Sequence, residues 1–341
     1  MYPQNIELRM PLQSGKLPHP LLRKMIRYRG AKDPSVILGP MIGEDAAVID
    51  LGDRCLILKT DPITYAIDEI GWYAVHINAN DVATMGARPK WFLATLLLPP
   101  KLGEKGVENI FKQIDKACRE LGIAVTGGHT EITPWLDRPI VVGNVHGICS
   151  RSELVLTSGA RSGDALVLTK GAGIEGTATL AREKKKELLS KFSRAFVKRA
   201  ENYLYFPGIS VVPEALLGAE MGATAMHDPT EGGVAVGLYE IAAASDKGIL
   251  VDKEDIIVRG ETKKICEHFG IDPLGLLGSG ALLLSIPQRK VDGYLDGLIE
   301  SGIVASVIGK VTRKSDGLKI LDCGKKRTLR YSQRDEILKV I

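Results

Sequence analysis

Acidic residues recur in this sequence at the borders of apolar runs, and four aspartates among them have the chemistry of metal ligands: Asp45, Asp61, Asp81 and Asp228. Carboxylates that converge repel one another unless a cation lies between them. Mg²⁺ prefers such hard oxygen ligands and usually brings phosphate oxygens with it. The alternative is that these are ordinary turn and capping aspartates, because Asp is common where strands end.

A predicted β-hairpin brings two of these aspartates together. Residues 46–49 and 55–59 are apolar runs joined by four turn-forming residues, a pattern typical of two antiparallel strands. Asp45 precedes the first strand and Asp61 follows the second, and these positions lie at the same end of an antiparallel pair. We therefore expect the two carboxylates to be neighbours.

The other two aspartates lie on or beside predicted helices. Apolar residues recur at helical spacing over 72–85, so Asp81 joins the hairpin aspartates if this helix packs across their end of the sheet. Asp228 follows a short predicted strand and precedes Gly232-Gly233 and an apolar helix. A helix N-terminus attracts anions, which favours a phosphate near the metal.

Two further stretches have residues that bind phosphate in other proteins. Gly127-Gly128-His129-Thr130-Glu131 follows an apolar strand, and the backbone amides of such glycines can cradle an anion. Thr130 and Glu131 add oxygen ligands, whereas His129 is either a phosphate or metal contact or a turn histidine. Near the N-terminus, Lys16 is either a lysine that closes over a phosphate or a solvated surface lysine.

A third glycine-rich stretch, Gly171-Ala172-Gly173-Ile174-Glu175-Gly176, matches the G-x-G-x-x-G pattern after the predicted strand 165–169. This pattern raises a dinucleotide-binding oxidoreductase as an alternative function. A dinucleotide fold requires an acidic residue at the end of the next strand, about 20 residues on, but residues 183–196 are charged and helical. The other interpretation is a turn that packs closely on its neighbours.

Length and composition indicate a globular protein of two domains. The 341 residues are 45% apolar and 25% charged, and strands alternate with helices throughout. We predict an α/β (α+β) fold with two sheets, divided into an N-terminal arm (1–40), an N-terminal domain (41–155) and a C-terminal domain (156–341). The boundary lies in the polar segment 150–163.

Composition also excludes several classes of protein. The net charge of +4 is spread along the chain, which argues against a nucleic-acid partner. No apolar run reaches transmembrane length, and basic residues interrupt any signal-like N-terminus, so we expect no membrane partner. The five scattered cysteines form no C-x-x-C pair, which argues against a zinc site and favours a reducing cytoplasm.

Together these clusters resemble the motifs of one superfamily, and they follow one another along the chain in the same order as in that superfamily. The motifs are Gly43-Glu44-Asp45-Ala46-Ala47, Thr60-Asp61, Asn80-Asp81-Val82-Ala83-Thr84-Met85-Gly86-Ala87, Gly127-Gly128-His129-Thr130, Gly171-Ala172-Gly173-Ile174-Glu175-Gly176-Thr177 and Asp228-Pro229-Thr230-Glu231-Gly232-Gly233. The chain resembles the aminoimidazole-ribonucleotide synthetase (PurM-like) superfamily over roughly residues 35–315. Within it, the chain looks most like the hydrogenase expression/formation (HypE) branch.

The resemblance implies an ATP- and Mg²⁺-dependent enzyme that transfers a phosphoryl group or drives a dehydration with ATP. Such proteins are homodimers of two-domain subunits, in which the N-terminal sheets of two copies close a shared barrel. The implied Mg²⁺ ligands are Asp45, Asp61, Asp81 and Asp228. The implied ATP contacts are Thr60, Gly127, Gly128, His129 and Thr130, with Lys16 near the transferred phosphate. The resemblance does not identify the base that activates the acceptor, for which His227 and Glu131 are candidates.

The acceptor is less well defined by the resemblance than the nucleotide. HypE modifies its own C-terminal cysteine, whereas this sequence ends in Leu338-Lys339-Val340-Ile341, which makes self-modification doubtful. The acceptor is then a small molecule or another protein. The alternatives are a phosphotransferase like thiamine-monophosphate kinase or selenophosphate synthetase, or a maturation protein that holds a nucleotide without turnover of its own.

Overall fold

The structure is a computed structural model that describes residues 15–64, 66–332 and 334–341. Residues 1–14 of the predicted N-terminal arm therefore lie outside the described part of the chain. The strands are β1 (Val36–Leu38), β2 (Ala47–Asp50), β3 (Arg54–Ile63), β4 (Arg88–Leu98), β5 (Ala124–Ile132), β6 (Ile140–Ser150), β7 (Ala165–Thr169), β8 (Ala225–His227), β9 (Gly248–Asp252), β10 (Leu283–Ile286), β11 (Ala305–Thr312), β12 (Leu318–Asp322) and β13 (Lys325–Thr328).

The α-helices alternate with these strands, as the sequence predicts. They are α1 (His19–Met25), α2 (Ile70–Thr84), α3 (Gly103–Leu121), α4 (Ile174–Glu183), α5 (Lys185–Lys191), α6 (Arg194–Glu201), α7 (Val212–Met221), α8 (Gly233–Ser245), α9 (Gly260–Phe269) and α10 (Val291–Glu300). No helix in the described ranges has the length and apolarity needed to cross a lipid bilayer.

The first sheet has six strands in the order β1-β2-β3-β6-β4-β5. The predicted hairpin is confirmed, with Ala47 opposite Leu58 in an antiparallel pair. The prediction that Asp61 follows the second strand is wrong, because β3 continues to Ile63 and pairs Asp61 with Gly143 of β6. Asp61 nevertheless lies near the end of β3 that faces Asp45.

Helix α2 covers one face of this sheet and is the centre of the molecule. Every residue of α2 is buried, from Ile70 to Thr84, because the sheet packs against one side of the helix and α3 and α7 pack against its other sides. The helix is apolar on most of its surface, with small residues such as Ala74 and Ala79 that permit close approach. Asp81 is therefore held deep in the protein at the end of a rigid element.

The second sheet has seven strands in the order β13-β12-β9-β11-β7-β10-β8. All neighbours are antiparallel except β9 and β12. Helix α7 packs against α2, and the buried apolar core runs without a break from the first sheet to the strands of the second. The predicted two-sheet α/β (α+β) architecture is confirmed.

Candidate functional site

The four aspartates predicted as metal ligands line one cavity of about 290 Å³ where the two sheets meet: Asp45, Asp61, Asp81 and Asp228. Lys16, Lys59, His227 and Glu240 line the same cavity. The residues come from the hairpin, from α2, from the loop after β8, from α8 and from the N-terminal segment. We call this space the acidic cavity.

Asp45 is fixed by two hydrogen bonds at the wall of the acidic cavity. Its Oδ2 accepts from the hydroxyl of Thr84 at 3.0 Å, and its Oδ1 accepts from His227 Nδ1 at 2.6 Å. His227 Nε2 in turn donates to Glu240 Oε2 at 2.9 Å. Burial alone would lower the pKa of His227, but the charges and hydrogen bonds of Asp45 and Glu240 outweigh it and hold that pKa well above its ordinary value.

This arrangement contradicts the prediction of His227 as a general base. Both of its ring nitrogens face carboxylates, so the imidazole carries a proton on each and has no lone pair to accept another. His227 is instead a buried cation that orients Asp45. Glu131, the other candidate base, lies on the exposed edge strand β5 and does not line the acidic cavity.

Lys59 is a cation of the site that the sequence analysis missed. Its Nζ lies 2.9 Å from Asp81 Oδ2 and 3.3 Å from Asp61 Oδ2. Burial would lower the pKa of Lys59, but these two carboxylates outweigh it and hold the pKa above its ordinary value. The sequence did contain a signal for this role of Lys59. Lys59 lies two residues before Asp61, and side chains two apart in a strand point to the same face.

Asp228 is almost fully buried, and only one of its two carboxylate oxygens accepts a hydrogen bond. Its Oδ2 accepts from Asn80 Nδ2 at 2.9 Å, whereas its Oδ1 has no hydrogen-bond partner among the described residues. Burial, followed by the charges of Asp81 and Asp45, raises the pKa of Asp228 well above its ordinary value. A carboxyl of this kind is stabilised as an anion when a cation binds to it.

Asn80 connects the two parts of the chain that form the site. Besides Asp228, its side-chain amide donates to the carbonyl of Ile209 at 2.8 Å, and its Oδ1 accepts from the backbone N–H of Val211 at 2.8 Å. Every polar group of this side chain is thereby used in a buried environment. Near the end of α2, Asn80 therefore anchors the loop before α7, whereas the next residue, Asp81, faces the acidic cavity.

The donor set suits Mg²⁺, but it is open. In the described ranges, only one group of three possible ligands has its donor atoms within 4.8 Å of one another, namely Glu254, Asp322 and Cys323 on the surface. The four aspartates thus line one cavity without forming a closed coordination shell. Mg²⁺ sites of this kind keep several water or phosphate ligands.

A carboxylate of the protein itself already binds the first amide at the N-terminus of α8, where the sequence analysis predicts a phosphate. The backbone N–H of Gly232 donates to Asp335 Oδ2 at 2.6 Å, and that of Leu277 donates to Asp335 Oδ1 at 3.3 Å. Asp335 is almost fully buried. The C-terminal segment of the protein therefore supplies the anion at this helix end.

Lys16 is exposed and lines the acidic cavity. Its backbone N–H donates to Glu231 Oε2 at 3.0 Å, and its Nζ donates to Thr230 Oγ1 at 3.2 Å. These contacts tie the N-terminal segment to the loop that carries Asp228.

The remaining predicted nucleotide contacts are not brought to the site within one chain. Thr60 points to the opposite face of the sheet from Asp61, and its hydroxyl donates to the carbonyl of Gly143 at 2.9 Å. Gly127, Gly128, His129 and Thr130 are not a turn, because β5 continues through them to Ile132 as an exposed edge strand. Three strand spacings separate β5 from β3, or about 14 Å.

The G-x-G-x-x-G stretch belongs to a closely packed turn. Strand β7, which precedes it, is antiparallel to both of its neighbours, so it forms no parallel βαβ unit of the dinucleotide type. Gly173 has φ +68° at the start of α4, and a Cβ on Gly176 would lie 2.3 Å from Leu276 Cγ. The dinucleotide alternative is therefore wrong, and these glycines serve tight packing.

Comparison with known proteins places this architecture in a family. Residues 43–149 match the AIR synthase related protein N-terminal domain, and residues 161–320 match the corresponding C-terminal domain. The chain belongs to the AIR synthase related protein family. The predicted membership of the PurM-like superfamily is thereby confirmed.

Individual AIR synthase related proteins resemble the chain over most of its length. It is 28% identical to a putative hydrogenase expression/formation protein of Methanocaldococcus jannaschii, over 81% of both chains. It is 27% identical to the selenide, water dikinase of the same organism, over 85% of both chains. Among solved structures, the hydrogenase maturation protein HypE in complex with ATP is 25% identical, with a TM-score of 0.71 over 94% of this chain and 96% of that one.

Proposed function

We propose that this protein is an ATP- and Mg²⁺-dependent enzyme that transfers a phosphoryl group to an acceptor or uses ATP to drive a dehydration. The observation that carries the proposal is the acidic cavity, in which buried Asp228 has an unpaired oxygen beside Asp45 and Asp81. The resemblance to HypE, which has been solved in complex with ATP, supports the nucleotide.

The residues of the acidic cavity divide into metal ligands and charge-balancing groups. Asp45, Asp81 and Asp228 would hold Mg²⁺, with Asp61 at the more exposed edge. The metal supplies charge neutralisation for the phosphates. Lys16 is placed to stabilise the oxygens of the terminal phosphate, because its ammonium lies at the mouth of the same cavity.

Phosphoryl transfer depends on placement and electrostatics more than on a covalent catalyst. A bond forms between the acceptor atom and the terminal phosphorus, the bond from that phosphorus to its bridging oxygen breaks, and the acceptor loses a proton. The buried network of His227, Asp45 and Thr84 holds one metal ligand in a fixed orientation for this step. Preorganised charge of this kind is effective where water is excluded.

We also propose a homodimer that covers the outer face of the first sheet, as the superfamily resemblance implies. This face carries half-buried apolar side chains, among them Leu93, Leu97 and Val142. The edge strand β5 is exposed along its whole length, with Val125 54% exposed. A second copy would bury the outer face of the sheet and strand β5. It would also bring Gly127–Thr130 to a neighbouring subunit.

Sedimentation velocity tests the homodimer. Each chain has a mass of 36.9 kDa, so a dimer sediments as a species of twice that mass. The change Leu93→Lys on the outer face should give monomers, while Glu108→Lys on the exposed face of α3 should leave the dimer intact. A monomeric wild-type protein at micromolar concentration would refute this part of the proposal.

Calorimetric titration with ATP, with and without Mg²⁺, tests the proposed enzyme class. Binding that requires Mg²⁺ is expected, because the cavity presents carboxylates that repel bare phosphates. Phosphorus NMR of the mixture then shows which phosphate bond breaks. Binding without turnover would favour a maturation protein that needs a partner, and no binding in either condition would refute the proposal.

A further inference from the structure

A second cavity adjoins the acidic cavity and has no part in the function proposed so far. It encloses about 380 Å³ and shares Lys16, Asp61 and Thr230 with the acidic cavity. This volume lies in the lower range of pockets for small molecules. A molecule bound in the second cavity would therefore meet the phosphate-binding residues at its rim.

Two buried polar side chains line the second cavity. Glu175 is 8% exposed, and Ser279 is fully buried. Ser279 hydrogen-bonds to Glu175, and no Lys or Arg in the described ranges forms an ion pair with this carboxyl. Burial raises the pKa of Glu175 to about 7. Buried carboxyls without a cationic partner are uncommon in proteins, because burial of the charged form costs free energy.

The backbone fixes these two residues relative to each other. The N–H of Glu175 donates to the carbonyl of Ser279 at 3.2 Å, and the N–H of Gly176 donates to the carbonyl of Leu277 at 3.0 Å. The glycine-rich turn before α4 thus packs onto the loop before β10. These contacts hold Glu175 and Ser279 on the same wall of the second cavity.

The charges around the second cavity define the kind of ligand that fits. Glu175, Glu231 and Asp61 are acidic, whereas Lys16 is the only basic residue that lines it in the described part of the chain. The side walls are apolar, formed by Ile63, Ala66, Ile77 and Leu277. An anionic group is disfavoured away from Lys16, while an uncharged or cationic group that donates hydrogen bonds is favoured.

The base of the nucleotide has a more suitable place on the other side of the phosphate-binding residues. The acidic cavity extends there between the apolar side chains of Leu17, Leu22, Met41 and Ile42. An aromatic base is stabilised by apolar walls of this kind. In the function proposed above, the acidic cavity would hold the metal and the phosphates of the nucleotide, which leaves the second cavity for the other substrate.

We propose that the second cavity binds the acceptor, and that the acceptor presents an uncharged or cationic N–H or O–H donor to Glu175 and Ser279. This inference rests on the proposed function, since it assigns the acceptor side of the same reaction. It makes Glu175 and Ser279 determinants of acceptor specificity. It also gives the G-x-G-x-x-G stretch a purpose, because this turn places Glu175.

Three isosteric probes test the ligand class: acetamidinium, acetamide and acetate. Saturation-transfer NMR is recorded at pH 8, with and without Mg²⁺ and the ATP analogue AMPPCP. We expect transfer to acetamidinium and acetamide, and at least tenfold less to acetate. The change Glu175→Gln should weaken acetamidinium binding about tenfold, as expected for loss of a charged hydrogen bond. Ser279→Ala should weaken acetamide binding.

Glu153→Gln, at the opposite end of the first sheet, is the matched control and should leave all three probes unchanged. Equal or stronger transfer to acetate, or probe binding that is unaffected in both Glu175→Gln and Ser279→Ala, would overturn the inference. Loss of AMPPCP binding in Glu175→Gln with probe binding retained would instead place the nucleotide in the second cavity. Probe binding that depends on Glu175 in a wild-type protein that binds no AMPPCP would refute the proposed function and leave the ligand class standing.

Discussion

Lys59 Nζ lies 2.9 Å from Asp81 Oδ2, in the middle of a site whose other groups are mostly carboxylates. Asp81 is buried and Lys59 is partly buried, and Lys59 also lies 3.3 Å from Asp61 Oδ2. An ammonium in this position balances the carboxylates before a metal binds. The same ammonium then competes with Mg²⁺ for Asp81, so the affinity for the metal depends on how easily Lys59 turns away.

Lys59→Met should destabilise the metal-free protein by about 3 kcal/mol, because removal of one member of a buried ion pair leaves the other charge uncompensated. Added Mg²⁺ should recover part of this loss and stabilise the variant more than it stabilises the wild type. Urea unfolding with and without Mg²⁺ measures both effects. Lys112→Met, which breaks an exposed pair with Glu108 on α3, is the control and should change little. A variant that gains no extra stability from Mg²⁺ would show that Lys59 and the metal do not share a site.

Asp45→Asn should lower the affinity for Mg²⁺-ATP at least tenfold, because a metal ligand loses its charge. The protein should still fold, since Asn retains an oxygen that accepts from Thr84 or His227. Calorimetry measures the affinity, and circular dichroism checks the fold. Asp50→Asn, at the far end of the same hairpin, removes a carboxylate without touching the site and should leave the affinity unchanged. Undiminished binding by folded Asp45→Asn would count against the proposed site.

The parts of the site that depend on hairpin register and on the alternation of side chains along a strand could be predicted from the sequence. Asp45 and Asp61 line the same cavity because an antiparallel hairpin brings its open ends together, and this register follows from the two apolar runs and their turn. Strand alternation also separates Thr60 from Asp61, a consequence that the motif-based assignment of Thr60 to the nucleotide did not include. The length of β5 was missed because consecutive glycines favour a turn in sequence, whereas pairing with β4 extends the strand.

Long-range relations in the site could not be predicted from sequence alone. His227 looked like a free base because nothing in the sequence shows that it lies between Asp45 and Glu240, which are 182 and 13 residues away. Asp335 belongs to a charged C-terminal segment without a motif, and it meets Gly232 across 103 residues. Such contacts depend on the packing of the two sheets, for which local periodicity carries no information.

Asp335→Asn should weaken both stability and nucleotide binding. The amide keeps one oxygen but places an NH₂ group against the N–H of Gly232 or Leu277, so one buried donor loses its acceptor. The expected cost is about 1–3 kcal/mol. Loss of this hydrogen bond should also loosen the loop whose residues Thr230 and Glu231 hold Lys16. The affinity for Mg²⁺-ATP should then fall. Urea unfolding and calorimetry measure the two effects, with fully exposed Asp137→Asn as the control. Normal affinity in a destabilised variant would limit Asp335 to a structural role.

Glu175→Gln should make the stability of the protein less dependent on pH. In the wild type, burial raises the pKa of Glu175 from 4.5 in the unfolded chain to about 7 in the fold. Between these values the unfolded chain releases this proton while the folded chain keeps it, so ionisation favours unfolding and the free energy of unfolding falls as the pH rises. The difference in pKa corresponds to about 3 kcal/mol. Gln does not ionise and avoids this loss. In urea unfolding, the variant should therefore become more stable relative to the wild type by about that amount as the pH rises from 4.5 to 8. A constant difference across this range would show that folding does not raise the pKa of Glu175.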